Sequence, residues 1–143
     1  MKPDFVTQNN TILLVEDRPN GEFLLEALLQ QWGVACSLHE VNDVEHAIDY
    51  LAGNGIYADR LRHPFPSLVL LDLHRPRTSG QEVLVWVRQR YSPSQLPVVV
   101  LSGANYYLEI AELLNLGADQ AVHASGPGPH KLRDALYHPI GVQ

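Results

Sequence analysis

The stretch from Ser67 to Gly80 reads SLVLLDLHRPRTSG and contains the clearest indication of the fold. Asp72 follows an aliphatic run, Leu68–Leu71, and an unpaired carboxylate is costly in a dry core, so it is expected to emerge where the run ends. Pro66 and the RPR of residues 75–77 bound the run, which is typical of a strand covered on both faces in a parallel sheet. The stretch predicts Asp72 at that strand's carboxyl end, where open α/β sheets bind ligands. Position alone equally allows an aspartate that caps the next helix.

Apolar runs alternate with amphipathic stretches along the rest of the chain. The predicted strands are Thr11–Val15, Ala35–Val41, Leu68–Asp72, Leu96–Ser102 and Gln120–His123. The predicted helices are Pro19–Gly33, Val44–Ala52, Gly80–Tyr91, Tyr106–Leu116 and Lys131–Tyr137. This alternation predicts an α/β fold with a doubly wound, five-stranded parallel sheet, because right-handed crossovers carry each helix over the sheet.

Length, charge and cysteine content exclude several classes of protein. A chain of 143 residues fits one domain, which we place at residues 11–138 between tails at 1–10 and 139–143. A net charge of -6 provides no overall basic field for nucleic acid. The single cysteine, Cys36, cannot form an internal disulfide and fits a reducing compartment. Since no signal peptide or membrane span is visible, we expect a cytoplasmic protein without nucleic-acid or membrane partners.

One predicted connection is longer than the others. Residues 55–66 read GIYADRLRHPFP and join the second predicted helix to the third predicted strand. A connection of this length is either a functional loop or a surface insertion, and the sequence leaves both open.

Polar residues follow three of the predicted strands. Glu16 and Asp17 follow the first, Asp72 the third and Ser102 the fourth. If the first and third strands are neighbours, three carboxylates converge and repel one another unless a cation joins them. Mg²⁺ suits a few carboxylates, water and a phosphate oxygen, so the pattern predicts a metal-assisted phosphoryl site. Asp72 would be the nucleophile and Ser102 a hydroxyl donor to a phosphoryl oxygen.

Each of these residues also has a simpler interpretation. Glu16 and Asp17 precede Pro19, and their side chains could instead cap a helix start. Ser102 after an apolar strand is commonly a turn residue. The combination of all of them at successive strand ends is what favours a phosphoryl site.

Four motifs resemble one known family, the CheY-like receiver domain of bacterial two-component response regulators. They are ILLVED at residues 12–17, LVLLDLHRPRTSGQEVL at 68–84, LPVVVLSGA at 96–104 and LGAD at 116–119. The resemblance extends from Thr11 to Tyr137 and implies a (βα)5, flavodoxin-like fold. Within the family, LLVED, GIYA and LVLLDLHRP are most similar to the stand-alone receivers that partner bacteriophytochrome histidine kinases.

The resemblance implies a role for each residue of the predicted site. Asp72 corresponds to the phosphoacceptor, Glu16 and Asp17 to the metal-binding pair, and the backbone carbonyl of His74 to a further ligand of Mg²⁺. Ser102 takes the place of the switch hydroxyl. A sensor histidine kinase would be the phosphodonor partner.

Output would come through altered protein-protein interaction rather than through enzymatic activity. A homodimer would use the surface of the fourth predicted helix, the fifth strand and the fifth helix. A phosphatase of the haloacid dehalogenase type needs a second aspartate where this chain has His74.

Two departures from the family pattern leave a second hypothesis open. Receivers carry a Lys-Pro pair just after the fifth strand, where this chain has Ala124 and Ser125. Ala121 replaces the strand-five aromatic residue, so the usual movement of that residue with the switch hydroxyl cannot operate. The alternative is therefore a receiver-like protein-binding module that works without phosphorylation.

Overall fold

The computed structural model describes residues 11–16, 26–27, 29–31, 33, 36–73, 80–102 and 107–123. The strands are β1 (Thr11–Glu16), β2 (Ser37–Val41), β3 (Leu68–Leu73), β4 (Val98–Ser102) and β5 (Gln120–His123). The helices are α1 (Val44–Ala52), α2 (Gly80–Arg88) and α3 (Tyr107–Asn115), with a 3₁₀ helix at Gly55–Ala58. No helix among these residues is long and apolar enough to cross a membrane.

The five strands form one parallel sheet in the order β2-β1-β3-β4-β5. This is the flavodoxin-like order, in which the sequence of strands reverses between β1 and β3. The predicted fold class is therefore confirmed. The reversal matters for function because it opens a crevice at the carboxyl ends of those two strands.

The core shows why the aliphatic runs are uninterrupted. Leu13, Val69 and Val98 are paired across β1, β3 and β4 and pack beneath the helices in one apolar cluster. Leu14 and Leu70, their neighbours on the opposite face of the sheet, are at most 1 % exposed. Both faces of the central strands are therefore covered, as expected for a parallel sheet between two layers.

Several predicted boundaries are shifted by one to three residues. β1 extends to Glu16 and β3 to Leu73, each one residue beyond its predicted end. β4 begins at Val98 rather than Leu96, because proline at position 97 has no N–H to donate to a ladder. α2 ends at Arg88 rather than Tyr91, where the chain enters a turn.

The remaining predicted boundaries lie next to gaps in the described part of the chain, or within them. β2 begins at Ser37, paired with the first residue of β1, rather than at Ala35. Residues 26–27 and 29–31 are helical, in agreement with the first predicted helix. Gly33 follows them with φ 72°, a left-handed conformation that suits a glycine after a helix. The predicted helix Lys131–Tyr137 lies outside the described residues.

Cys36 is half-buried just before β2. Burial raises the pKa of its thiol to about 11, and the charge of Glu26 acts in the same direction. The thiol is therefore protonated at neutral pH, which suits a packing role rather than a reactive one.

The long connection between α1 and β3 is held by one arginine. The Arg60 guanidinium donates to the carbonyls of Tyr50 (2.7 Å) and Leu51 (2.9 Å) in the last turn of α1. It also donates to the carbonyl of His63 (3.1 Å) within the connection itself. Since the last carbonyls of a helix have no partner inside the helix, Arg60 caps α1 and fixes the connection with the same group.

Aromatic rings fill the space under the same connection. The Tyr50 hydroxyl donates to the carbonyl of Pro64 (2.9 Å), and the Tyr50 ring lies 5.1 Å from the ring of Tyr57. His63 packs 5.0 Å from Tyr57, and His39 on β2 lies 6.2 Å from His63. Burial raises the pKa of Tyr50 to about 12. Residues 55–66 are therefore an ordered packing unit rather than a loosely held surface loop.

A second arginine, Arg88, links the end of α2 to the segments that precede β4 and β5. The Arg88 guanidinium donates to the carbonyls of Gly117 (2.8 Å) and Leu96 (2.9 Å) and to the carboxylate of Asp119 (2.9 Å). The same Asp119 oxygen accepts the N–H of Val98 at 2.7 Å. Burial lowers the pKa of Arg88 and the charge of Asp119 opposes this, so the guanidinium stays charged.

At the start of α1, Asp43 and His46 form a hydrogen-bonded pair in which each residue shifts the pKa of the other. Asp43 caps the helix, and its Oδ1 accepts the backbone N–H of His46 and lies 2.7 Å from His46 Nδ1. The hydrogen bond and charge of Asp43 raise the pKa of His46. The backbone hydrogen bond from His46 lowers the pKa of Asp43.

These shifts define opposite pH windows for stability. The His46 contribution is fully present below the unfolded pKa, about 6.5, and is lost as pH rises through the raised folded value. The Asp43 contribution is present above its unfolded pKa, about 3.9, and is lost as pH falls through the lowered folded value.

We expect Asp43→Asn to lower the His46 titration midpoint in an NMR pH series, because the substitution removes the adjacent charge. Glu45→Gln is the control, since Glu45 raises the same pKa only weakly and through space. An equal decrease in both variants would contradict the hydrogen-bonded pairing.

Candidate functional site

The carboxyl edge of the sheet brings two of the predicted site residues together. Glu16 ends β1 and is paired with Asp72 on β3, at the reversal of strand order. Paired residues on adjacent parallel strands lie about 4.8 Å apart and point to the same face. Glu16 is only 1 % exposed, whereas Asp72 is partly accessible. A buried carboxylate thus lies beside a reachable one.

Asn42 fixes the end of β1, and its role is not evident from the sequence pattern. Its side-chain Nδ2 donates to the backbone carbonyl of Glu16 at 2.9 Å. Asn42 directly follows β2, so the bond joins the ends of two adjacent strands. The only sequence signal for it is a polar residue immediately after an edge strand.

Ser102 lies at the same edge of the sheet. It is the last residue of β4 and is paired with Leu73 on β3 and His123 on β5. Leu73 directly follows Asp72, so Ser102 lies one position further along the strands than the acceptor candidate. The backbone register therefore places residue 102 at the carboxyl edge of the sheet, on the strand next to the one that contains Asp72.

Other residues of the predicted site lie outside the described residues. They are Asp17, His74, Ala124 and Ser125. Glu16 and Asp72 are thus the acidic part of the predicted site for which the structure gives positions.

Ala121 lies on β5 opposite Val100 and packs, partly buried, against the main apolar cluster. A methyl group at this position has no rotamer that moves between inward and outward orientations. The prediction that no aromatic side chain on β5 moves together with the switch hydroxyl rests on Ala121.

The donor set at the crevice fits a hard divalent cation. Mg²⁺ is typically held by one or two carboxylates and keeps several waters, and Glu16 and Asp72 supply two carboxylates from neighbouring strands. A cation would also offset the repulsion between two neighbouring carboxylates. Within the described ranges, no three histidine, cysteine, aspartate or glutamate side chains form a metal-binding group. The third predicted carboxylate, Asp17, is not among those residues.

Comparison with known proteins identifies the family. Residues 12–135 match the response regulator receiver domain. The response regulator Rcp1 of Synechocystis sp. is 35% identical over 91 residues, which are 64% of this chain and 60% of Rcp1. The chain spans 33% to 60% of the length of the first curated relatives it matches.

Solved structures show the same similarity. The bacteriophytochrome response regulator AtBRR is 29% identical, with a TM-score of 0.73 and 95% of each chain covered. The phosphorylated cyanobacterial phytochrome response regulator RcpA is 29% identical, with a TM-score of 0.68, and the match covers 93% of this chain and 90% of RcpA. Rcp1 has been solved in a Mn²⁺-bound form, with 28% identity, a TM-score of 0.66, and 92% and 90% coverage. With its strand order and its acidic pair at the β1–β3 crevice, this chain belongs to the response regulator receiver domain family.

Proposed function

We propose that the protein is a response regulator of a two-component phosphorelay in which Asp72 accepts a phosphoryl group from a histidine kinase with the assistance of Mg²⁺. The observation that carries the proposal is the pairing of Glu16 with Asp72 at the point where the order of the strands reverses. Phosphoryl transfer is catalysed mainly by positioning and charge neutralisation, and an acceptor carboxylate beside a second carboxylate meets both needs once a cation is bound.

The transfer uses groups of this chain in defined roles. A carboxylate oxygen of Asp72 forms a bond to phosphorus while the bond from phosphorus to the kinase histidine nitrogen breaks, and the electron pair returns to that nitrogen. Glu16 and Asp17, with Asp72 and the carbonyl of His74, would hold Mg²⁺, which neutralises charge on the transferred group. The Ser102 hydroxyl would donate a hydrogen bond to a phosphoryl oxygen. Asn42 holds the end of β1 and therefore the position of Glu16.

The relatives support the same chemistry. RcpA has been solved phosphorylated and Rcp1 with Mn²⁺, and AtBRR is a bacteriophytochrome response regulator. By this similarity the phosphodonor is a sensor histidine kinase of the phytochrome type. The output would be a change in protein-protein contacts, including a homodimer on the side of α3 and β5. The receiver would occupy residues 11–138 of a cytoplasmic protein.

Intact mass spectrometry after incubation with a small-molecule phosphodonor tests the proposal. We expect a gain of one phosphoryl group with Mg²⁺ and none when a chelator removes the metal. No gain at any metal or donor concentration would overturn the proposal.

That negative result would favour the second candidate function, a receiver-like binding module that works without phosphorylation. The specific observation in its favour is Ala121, a small residue packed on β5 where the family has a mobile aromatic side chain. The sequence adds Ala124 and Ser125 in place of the family's Lys-Pro pair.

Restoring the missing lysine should strengthen phosphorylation. A charge-assisted hydrogen bond to a phosphoryl oxygen contributes about 1.5–3 kcal/mol, so Ala124→Lys is expected to raise the phosphorylation rate about 10-fold or more. Ala124→Gln is the matched control, because it adds a long polar side chain without the charge. Equal rates in the two variants would show that charge at this position has no role.

A further inference from the structure

The outer face of α2 forms the floor of a groove of about 550 Å³. Ile48 of α1 lines one wall and Leu116, just after α3, lines the other, while Val85 and Trp86 lie between them. Val85 is 38% exposed and Leu116 39% exposed, so the apolar lining is open to solvent.

The dimensions of the groove suit a short helix. Its floor extends from Gln81 to Gln89, just over two helical turns, or roughly 12 Å. The walls come from α1 and α3, the two helices that flank α2. A trough between parallel helices accepts another helix by ridge-and-groove packing, with apolar anchors spaced by three and four residues.

The described charges around the groove are mainly acidic. Glu82 lines it directly, and Glu112 accepts a hydrogen bond from Gln81 of the lining at 3.2 Å. Glu45 lies one turn before Ile48 and therefore on the same side of α1. These three carboxylates lie toward the amino-terminal halves of α1 and α2 and the middle of α3.

Of the described arginines near the groove, Arg88 is paired with Asp119, and Arg90 lies at the Trp86 end. The Arg90 guanidinium stacks 4.0 Å from the centre of the Trp86 ring and donates to the Trp86 carbonyl at 3.1 Å. This stacking holds the indole in place and leaves the three carboxylates in excess. An occupant is therefore expected to be apolar on one side and positively charged at its edges.

We propose that this groove is a docking site for a basic amphipathic helix of a partner protein. Apolar side chains at i, i+3 or i+4 and i+7 would contact Val85, Trp86 and Leu116. Lysine or arginine residues beside them would pair with Glu45, Glu82 and Glu112. This surface differs from the one that the phosphorylation proposal uses for a dimer, although α3 borders both.

A second copy of the chain is a less suitable occupant. A twofold contact through the groove would bring two sets of three carboxylates into one interface, with one arginine from each copy to compensate them. The charge of the whole chain, -6, adds to this repulsion.

NMR amide shifts of the full chain, recorded without phosphodonor or metal, test the proposal independently of Asp72. The probe is a helical peptide of about 18 residues with leucine on one face and lysine at its edges. We expect saturable shifts confined to α1, α2 and the end of α3. Val85→Asn should weaken binding about 10-fold or more, whereas Leu61→Asn should not change it. Leu61 is the control because its side chain is 94% exposed on the 55–66 connection.

Charge specificity provides the second criterion. A peptide in which glutamate replaces every lysine should not bind, and Glu82→Gln combined with Glu112→Gln should weaken the lysine peptide and reduce its salt dependence. Equal binding of both peptides, shifts that map elsewhere, or no binding would overturn the proposal. It would also be overturned if the wild type self-associates through the groove and Val85→Asn makes it monomeric.

Discussion

Replacing Asp72 with asparagine is expected to abolish the gain of a phosphoryl group from a small-molecule donor in the presence of Mg²⁺. An amide cannot form the acyl phosphate, because its nitrogen and oxygen are not anionic nucleophiles. Asparagine has nearly the same shape, so the paired backbone of β1 and β3 should persist.

Asp49→Asn is the matched control for this experiment. Asp49 lies on α1, where its carboxylate accepts a hydrogen bond from Asn54 at 3.3 Å, away from the carboxyl edge of the sheet. Intact mass should show normal phosphorylation in this variant. If Asp72→Asn still gains a phosphoryl group and is folded by circular dichroism, the acceptor is another residue. The proposed role of the crevice would then be wrong.

Arg88→Met is expected to lower the free energy of unfolding by about 3 kcal/mol. The substitution keeps the aliphatic stem but leaves Asp119 and the carbonyls of Leu96 and Gly117 without the guanidinium that now bonds all three. Arg88 is 12% exposed and Asp119 24% exposed in their side chains, so water replaces these bonds only in part. For a chain of this size the midpoint of thermal unfolding should fall by about 10 °C.

Arg90→Met is the matched control, because it removes the same group two residues away. Arg90 is exposed and stacks on Trp86, an interaction worth about 0.5–1 kcal/mol at such a site. Differential scanning calorimetry of the two variants provides the comparison. Similar losses in both would show that the Arg88 hydrogen bonds add little beyond surface packing.

The strands of this protein are predictable because burial on both faces requires uninterrupted aliphatic residues. Leu68–Leu71 shows this directly, and its position in the sheet agrees with the prediction. The exact ends of the strands were harder to predict, since they depend on hydrogen bonds with residues that are distant in sequence. Val98, for example, begins β4 with its N–H bonded to the side chain of Asp119, which lies 21 residues away.

The sequence predicted the candidate site as a set of residues at strand ends. It did not predict the contacts that hold those residues in position. Glu16 and Asp72 are both visible as acidic residues after apolar runs. That their strands are neighbours was a condition of the prediction, and the observed strand order meets it. The contribution of Asn42 was not visible, because its partner Glu16 lies 26 residues away in sequence. The roles of Asp72 as acceptor and of Glu16 as metal ligand stay predictions until phosphorylation is measured.

The ordering of residues 55–66 by Arg60 also has a consequence for protein engineering. Long connections are usually the preferred sites for inserted tags, new termini or protease cleavage. Here a cut or an insertion between residues 55 and 60 would separate Arg60 from the carbonyls of Tyr50 and Leu51, and so would fray the end of α1 as well as the connection. Split or circularly permuted versions of this protein are therefore better opened at another exposed turn, such as the one at residues 93–95 between α2 and β4.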